Sequence, residues 1–365
     1  MMGSLRRSKR LQIFSMTNID KVKTKSPLDV GFLIPIHKPV GMTSFDVIRF
    51  FKKKFKLTRH DKIGHFGTLD PFAEGLLLVG LGRVLRLMPF VHDLCPKSYL
   101  AVGSVGVKTI SGDYTGEKVA LSTNINSETW AMEIMQSDEG LFKQHGDALV
   151  GKYLQSRPYF SAAKLDGVPL YEYARRGELI DVPKVERTIY EFEMIKKGFA
   201  IQTLSQFYPG DLTAYPHDLG QMPLIIFRSL VGTGTYVRTL FEDYCALLGG
   251  VGHLVALYRD RIGPVSIEHA LNLQDFETYE TVAQLAPHAV DPLQLLPLPQ
   301  VWPNDTLIQK LKWGQKIPVT MLGEQTSSFA WVMANAPSGA AIVGLLRRDA
   351  VSAQLVLHWD PEPGN

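Results

Sequence analysis

The stretch Lys62-Ile-Gly-His65-Phe-Gly67-Thr68-Leu69-Asp70-Pro71-Phe-Ala-Glu74-Gly75-Leu-Leu-Leu-Val79 runs a glycine-rich turn into an apolar segment. Pro71 pushes Asp70 out of the α region and into an extended conformation. Leu76 to Val79 reads as a buried strand. A carboxylate held on a rigid turn at a strand's edge is well placed for chemistry. The same residues also read as an Asp-Pro turn whose carboxylate bonds nearby backbone N–H groups.

Just upstream lies a helix. Thr43 or Ser44 caps it, and Asp46 sits in the first turn, where a helix favours negative charge. Val47, Ile48, Phe51 and Phe55 recur at helical spacing and form the buried stripe. Arg49, Lys52, Lys53 and Lys56 project elsewhere, followed by Arg59 and Lys62. Such a charge run is either a solvated face or a phosphate-contacting surface. Before the helix, Gly31 to Ile36 predicts a strand and Lys38-Pro39-Val40-Gly41 a turn.

Residues 1–62 hold 15 basic and 4 acidic side chains, whereas the whole chain of 365 residues carries a net charge of only +3. The basic surplus therefore lies at the front, and the overall charge excludes a uniformly basic coat. Residues 1–29 are expected to be a disordered basic tail. Residues 1–19 contain no acid, so they also fit an organelle-targeting peptide. No apolar run is long enough to span a bilayer. The two cysteines, Cys95 and Cys245, form no CxxC pair, which argues for a reducing, cytoplasmic setting without a thiolate zinc site.

Downstream, Ser98–Val102 and Leu224–Phe227 read as strands, residues 127–150 as helical, and Thr235–Leu248 as a helix ended by Gly249-Gly250. Without a clean βαβ rhythm, the class is α+β. Residues 291–299 contain three prolines and mark a boundary. Three short apolar runs beyond it predict a small β-rich module that packs on the main body. The chain has no GxxxxGK[ST], HExxH or GxSxG signature, and no GxGxxG after a strand, which removes the easy arguments for several cofactor and hydrolase chemistries. Gln155 to Lys164, with Tyr171 and Arg175, interleaves aromatic and basic groups in a pattern suited to stacking on bases beside phosphates. A packed hairpin would use the same residues.

Eight short motifs then stand in order: Lys38-Pro-x-Gly-Met-Thr-Ser44; Gly64-His65-x-Gly-Thr-Leu-Asp70-Pro-x-Ala-x-Gly-Leu-Leu77; Lys97-x-Tyr99; Thr109-x-Ser111-x-Asp113-x-x-Gly116; Gln155-x-x-Pro158 with Ser161-Ala-x-Lys164-x-x-Gly167; Tyr171-x-x-Ala174-Arg175-x-Gly177; Gly234-Thr-Tyr236-Val-Arg238; and Leu257-x-Arg259-x-x-Ile262-Gly263. Together they resemble the TruB family of tRNA pseudouridine synthases over residues 32–290. The resemblance implies a pseudouridine synthase fold, with a central mixed, largely antiparallel sheet flanked by helices over residues 30–292. It also implies a small C-terminal β-rich, PUA-like RNA-binding domain over 296–362. It implies conversion of uridine 55 in the tRNA T arm to pseudouridine, with the base flipped out and no cofactor or metal. A monomer is expected.

By position, the resemblance makes Asp70 the catalytic aspartate and Arg238 its partner. Tyr99 and Tyr236 line the uracil pocket, and His65 helps hold the flipped-out RNA. Lys38, Lys164, Arg175 and Arg86 are further substrate-binding positions. Aromatic faces replacing lost stacking partners contribute about 1–3 kcal/mol per base, and a guanidinium beside a carboxylate favours its charged form. Asp70 acts either as nucleophile at C1′ or as base at C2′. The chain departs from the family at Val231-Gly232-Thr233, which lacks a lysine, and at Arg157, Phe160 and Tyr258. Residues 203–223 read as an insertion without assigned function. Competing readings are the catalytic subunit of a guide-RNA particle, a non-catalytic RNA-binding or tRNA-folding protein, and a glycosidase using Asp70 with Glu74. The last needs two carboxylates about 5–9.5 Å apart across a sugar.

Overall fold

The computed structural model describes residues 31–119, 127–161, 163–178, 180, 182–199, 204–215, 222–323, 327–336 and 339–359. The tail expected over 1–29 and part of the 203–223 segment lie outside them. The strands of the main body are β1 (Phe32–Lys38), β2 (Ile63–His65), β3 (Glu74–Leu81), β4 (Lys97–Val105), β5 (Gly151–Gln155), β6 (Lys164–Leu165), β7 (Val168–Pro169), β8 (Val185–Gly198), β9 (Leu224–Val231), β10 (Gly252–Ile262), β11 (Val265–Ser266) and β12 (Leu271–Asn272). Ten of them form one sheet in the order β12-β1-β3-β10-β4-β9-β8-β5, with β2 on β3 and β11 on β10. The pairs β1/β12 and β3/β10 are parallel. The other pairs in this sheet are antiparallel. This is the mixed, largely antiparallel sheet expected.

Every residue of β3 and β4 is buried, as a strand covered on both faces requires. Helix α1 (Ser44–Lys54) lays Val47, Ile48 and Phe51 on the β1–β3 side. Thr43 is its N-cap, closing a capping box with Asp46. Arg49, Lys52, Lys53 and Lys56 stay exposed on the opposite side. A short helix α2 (Met88–Leu94) precedes β4. The helical stretch expected over 127–150 is two helices, α3 (Ser127–Gln136) and α4 (Glu139–Asp147), because Asp138 starts a new one by accepting from Gly140 N. Helix α5 (Leu170–Arg175) follows the β6–β7 hairpin, and α6 (Val237–Leu247) packs against β10.

Two registers position the site. Arg259 of β10 stands opposite Tyr99 of β4 and opposite Gly75 of β3. A side chain at Gly75 is impossible: its φ is +113°, and a Cβ would lie 2.4 Å from the Arg259 carbonyl oxygen.

After helix α7 (Pro292–Leu295), strands β13 (Gln300–Val301), β14 (Ile317–Pro318), β15 (Phe329–Ala336), β16 (Gly339–Arg348) and β17 (Ser352–His358) make a second sheet, ordered β13-β15-β16-β17-β14. Trp331, Met333, Leu345 and Leu357 from this sheet share one apolar cluster with Leu33, Phe66, Leu76 and Leu78 of the main body. The Trp331 indole N–H donates to the Leu296 carbonyl at 2.8 Å. Among the described residues no helix is long and apolar enough to cross a membrane.

Candidate active site

Two separate segments hold the turn that carries Asp70, the β1–α1 connection and β10. Ser44 brackets one residue, donating to the Leu69 carbonyl at 3.0 Å and accepting from Leu69 N–H at 2.8 Å. Gly41 N–H donates to the Pro71 carbonyl at 2.8 Å. Arg259, fully buried, donates to the carbonyls of Gly67 (3.1 Å), Thr68 (3.2 Å) and Leu76 (2.7 Å). These bonds fix the backbone on both sides of Asp70, whose side chain remains 33% exposed.

The Asp70 carboxylate pairs with Arg238, with Nε 3.1 Å from Oδ2 and Nη2 3.5 Å from Oδ1. Arg238 is itself buried, in the first turn of α6. Its other contacts are the Ser111 carbonyl at 2.6 Å, the Phe160 carbonyl at 3.0 Å and the buried Asp113 carboxylate at 3.6 Å. The guanidinium therefore cannot swing freely, and it aims the carboxylate it holds. Tyr236 is the N-cap residue of α6. Gln155 grips its backbone from both ends, accepting from its N–H at 2.8 Å and donating to its carbonyl at 3.1 Å.

These groups surround a cavity of about 220 Å³ lined by Asp70, Tyr99, Tyr236 and Arg238, with Lys97, His92, Ser161 and Arg259 also on its wall. It is smaller than the ~300–1,000 Å³ typical of drug-sized ligands. The Arg259 guanidinium approaches the buried Tyr99 ring, 5.9 Å from its centroid, and lies 3.4 Å from the hydroxyl. Lys97 is buried on the wall; burial, and then Arg259, push its pKa down to about 8. Thr233 places its hydroxyl 2.6 Å from His92 Nδ1.

The other predicted site residues fall elsewhere. His65, on β2, begins the loop to Asp70 but does not line the cavity; burial, then Arg259, lower its pKa. Its Nδ1 finds no partner among the described residues. Lys38 is fully buried and donates to the Pro39 and Met42 carbonyls at 2.8 and 2.7 Å. Burial, followed by Arg259, brings its pKa to about 8. It holds the β1–α1 turn and does not border the cavity. Arg86 also stands apart, donating to the His358 carbonyl of β17 at 3.1 Å. Lys164 and Arg175 belong to β6 and α5, but their side chains lie outside the described residues.

Arg259, Lys97 and Asp113 had no role in the sequence, although each stands in a quoted motif; Ser44 was read only as a possible helix cap, and Gln155 only as the start of an aromatic and basic segment. The available signal was a charged residue inside an apolar strand pattern, as in Ala256-Leu-Tyr-Arg259. Glu74 does not face the cavity. It is buried, accepts from Asp211 N–H at 2.9 Å and lies 3.7 Å from His37 Nε2. No second acid with glycosidase geometry is thus presented by this turn. The described part of the 203–223 segment packs behind it: Tyr215 donates to the Phe72 carbonyl at 3.1 Å, and Tyr208 meets Tyr258 edge-on. Among the described residues, no cluster of three or more His, Cys, Asp or Glu could hold a metal ion.

Residues 52–204 match the family model described as TruB family pseudouridylate synthase, N-terminal domain. A tRNA pseudouridine synthase B of Caldicellulosiruptor saccharolyticus is 34% identical over 79% of this chain and 83% of its own length. Those of Geotalea uraniireducens (34% identical, 67% of each chain) and Burkholderia pseudomallei (32% identical, 79% of this chain and 82% of the other) are similar relatives. Among solved structures, a Cbf5-Nop10-Gar1 complex includes a chain that superimposes with a TM-score of 0.58 at 19% identity, covering 91% of this chain and 85% of the other. At that identity the likeness concerns the fold alone.

Proposed function

Because the chain belongs to the TruB family and is a pseudouridine synthase, we propose that it isomerises uridine 55 in the T arm of tRNA, with Asp70 as the catalytic group and no cofactor. The observation that carries this reading is the Asp70–Arg238 pair inside a cavity walled by Tyr99 and Tyr236. A uridine stacked in folded RNA must leave its stack to reach that carboxylate. The two tyrosines then stand in for its stacking neighbours. In the reaction N1–C1′ breaks, the uracil turns over, C5 bonds to C1′, the C5 proton leaves and N1 gains a proton. Bonds broken and made lie within one nucleotide, so neither electrons nor phosphoryl groups are exchanged with a partner molecule.

Asp70 acts as nucleophile at C1′ or as base at C2′. Arg238 orients it and balances its charge. Arg259, Ser44 and Gly41 position its backbone. His65, at the head of the same loop, holds the flipped-out RNA, and Lys164 and Arg175 grip the T loop. Residues 30–292 form the catalytic domain and 296–362 a PUA-like RNA-binding domain. The protein works as a monomer in the cytoplasm. The test is to incubate it with unmodified T-arm RNA, without guide RNA, and follow release of the uracil C5 hydrogen. Release is expected, and none would overturn the reading.

A further inference from the structure

The cavity wall from Gly232 to Tyr236 leans on a cation that the reaction does not use. Gly234 has φ +71°, and a Cβ there would lie 2.9 Å from Arg187 Cζ and 3.0 and 3.1 Å from its two terminal nitrogens. The glycine thus leaves room for a guanidinium against the wall. Gly232 N–H donates to the Thr188 carbonyl at 2.8 Å, which ties the wall to the residue after Arg187 on β8. Arg187 is half-buried and stands opposite Tyr153 of β5.

The charge of a second arginine, Arg157, acts on Arg187. Arg157 follows Gln155, whose side chain grips Tyr236, by two residues and precedes the cavity-lining Ser161 by four. Burial, and then the like charge of Arg157, disfavour the charged form of Arg187. Among the described residues, neither arginine makes an ion pair with a carboxylate. Glu186, beside Arg187 in the chain, is engaged with Lys152 at 2.9 Å, and Asp70 and Asp113 are engaged with Arg238. Two half-buried like charges that act on each other are mutually destabilising, and a phosphate matches a guanidinium's fork of donors. Helix α6 adds to the field, since it opens at this wall without a side-chain cap.

We propose that Arg187 and Arg157 form a binding site for one backbone phosphodiester of the substrate RNA, beside the flipped nucleotide. The contact rests on the RNA substrate of the proposed function. It supplies affinity and register at the mouth of the cavity, while the chemistry stays with Asp70.

The experiment measures the affinity of full-length protein for an unmodified T-arm stem–loop between 50 and 300 mM KCl. Arg187→Gln should weaken binding about tenfold and lower the log–log salt slope by about 0.7–0.9, the share of one phosphate. Single-turnover conversion at saturating RNA should change far less than affinity. In a stem–loop series with single methylphosphonates beside the target uridine, one position should weaken wild-type binding by a similar factor and cause no further loss with Arg187→Gln. If Arg187→Gln does not fold, Arg157→Gln carries the same expectations. An unchanged salt slope, or losses that add at every methylphosphonate position, would overturn the site. Wild-type protein that shows the phosphate contact but releases no C5 hydrogen would instead overturn the catalytic reading and leave this site standing.

Discussion

Asp70 and Arg238 are the pair on which the proposed reaction turns, and Arg238 has more than one anion to serve. Replacing it with glutamine would strand the buried Asp113 and release the Ser111 and Phe160 carbonyls as well as Asp70. Breaking a buried charge pair costs about 3–5 kcal/mol. Arg238→Gln should therefore lower the free energy of unfolding in urea by that order while abolishing turnover; unchanged stability would mean the pair with Asp113 is weak. Lys97 makes a pH-dependent prediction. Its folded pKa of about 8 lies below the ordinary 10.5, so between those values the unfolded chain binds more protons. Its contribution to stability rises with pH from 8 to 10.5 and is lost as pH falls through 8. Lys97→Met should have a shallower rise than wild type across that window in urea unfolding, and parallel curves would contradict it. Lys38 shifts the same way and remains in both proteins. At this scale Asp70, Tyr99, Tyr236 and Arg238 stand in motifs a reader can find, and they do share one cavity. Arg259 was hidden because its partners are carbonyls far away in sequence, a relation set by strand register and not by residue type.

Elements explain why the turn is rigid. Arg259 reaches it only because β10 lies between β3 and β4, a parallel neighbour on one side and an antiparallel one on the other. The strands were legible where apolar residues ran together, as at Leu76–Val79. Helix α1 was legible from its cap and stripe. The sheet order was not, because a mixed sheet joins segments far apart in the chain, as in the parallel pairing of Ile36 with Leu271. Nor was the break at Asp138, which looks like an ordinary polar residue until it caps a helix. The segment around Tyr208–Tyr215, without a role in the sequence, braces the Asp70 turn from behind through the Phe72 carbonyl. Tyr215→Phe should remove one buried hydrogen bond, about 1 kcal/mol of stability, and slow single-turnover conversion severalfold with little change in RNA affinity. An unaltered rate would make the brace merely structural.

Over the whole molecule, the net charge of +3 conceals a strongly basic front, with 15 basic and 4 acidic residues in the first 62. Part of that excess is the exposed face of α1 and the loop after it. Removing residues 1–29 should weaken RNA binding and flatten its salt dependence; an identical salt slope would make the segment a bystander. The second sheet was foreshadowed by three apolar runs. Its attachment was not, because the cluster around Trp331 draws half its members from the other end of the chain.

In the proposed reaction the carboxylate of Asp70, in this cavity, exchanges the glycosidic bond of a T-arm uridine. Single-turnover release of the C5 hydrogen from unmodified T-arm RNA, without guide RNA, compares wild type with Asp70→Asn. Wild type should release the hydrogen and the variant none, with RNA binding by both. Release by Asp70→Asn at the wild-type rate would contradict that role for Asp70.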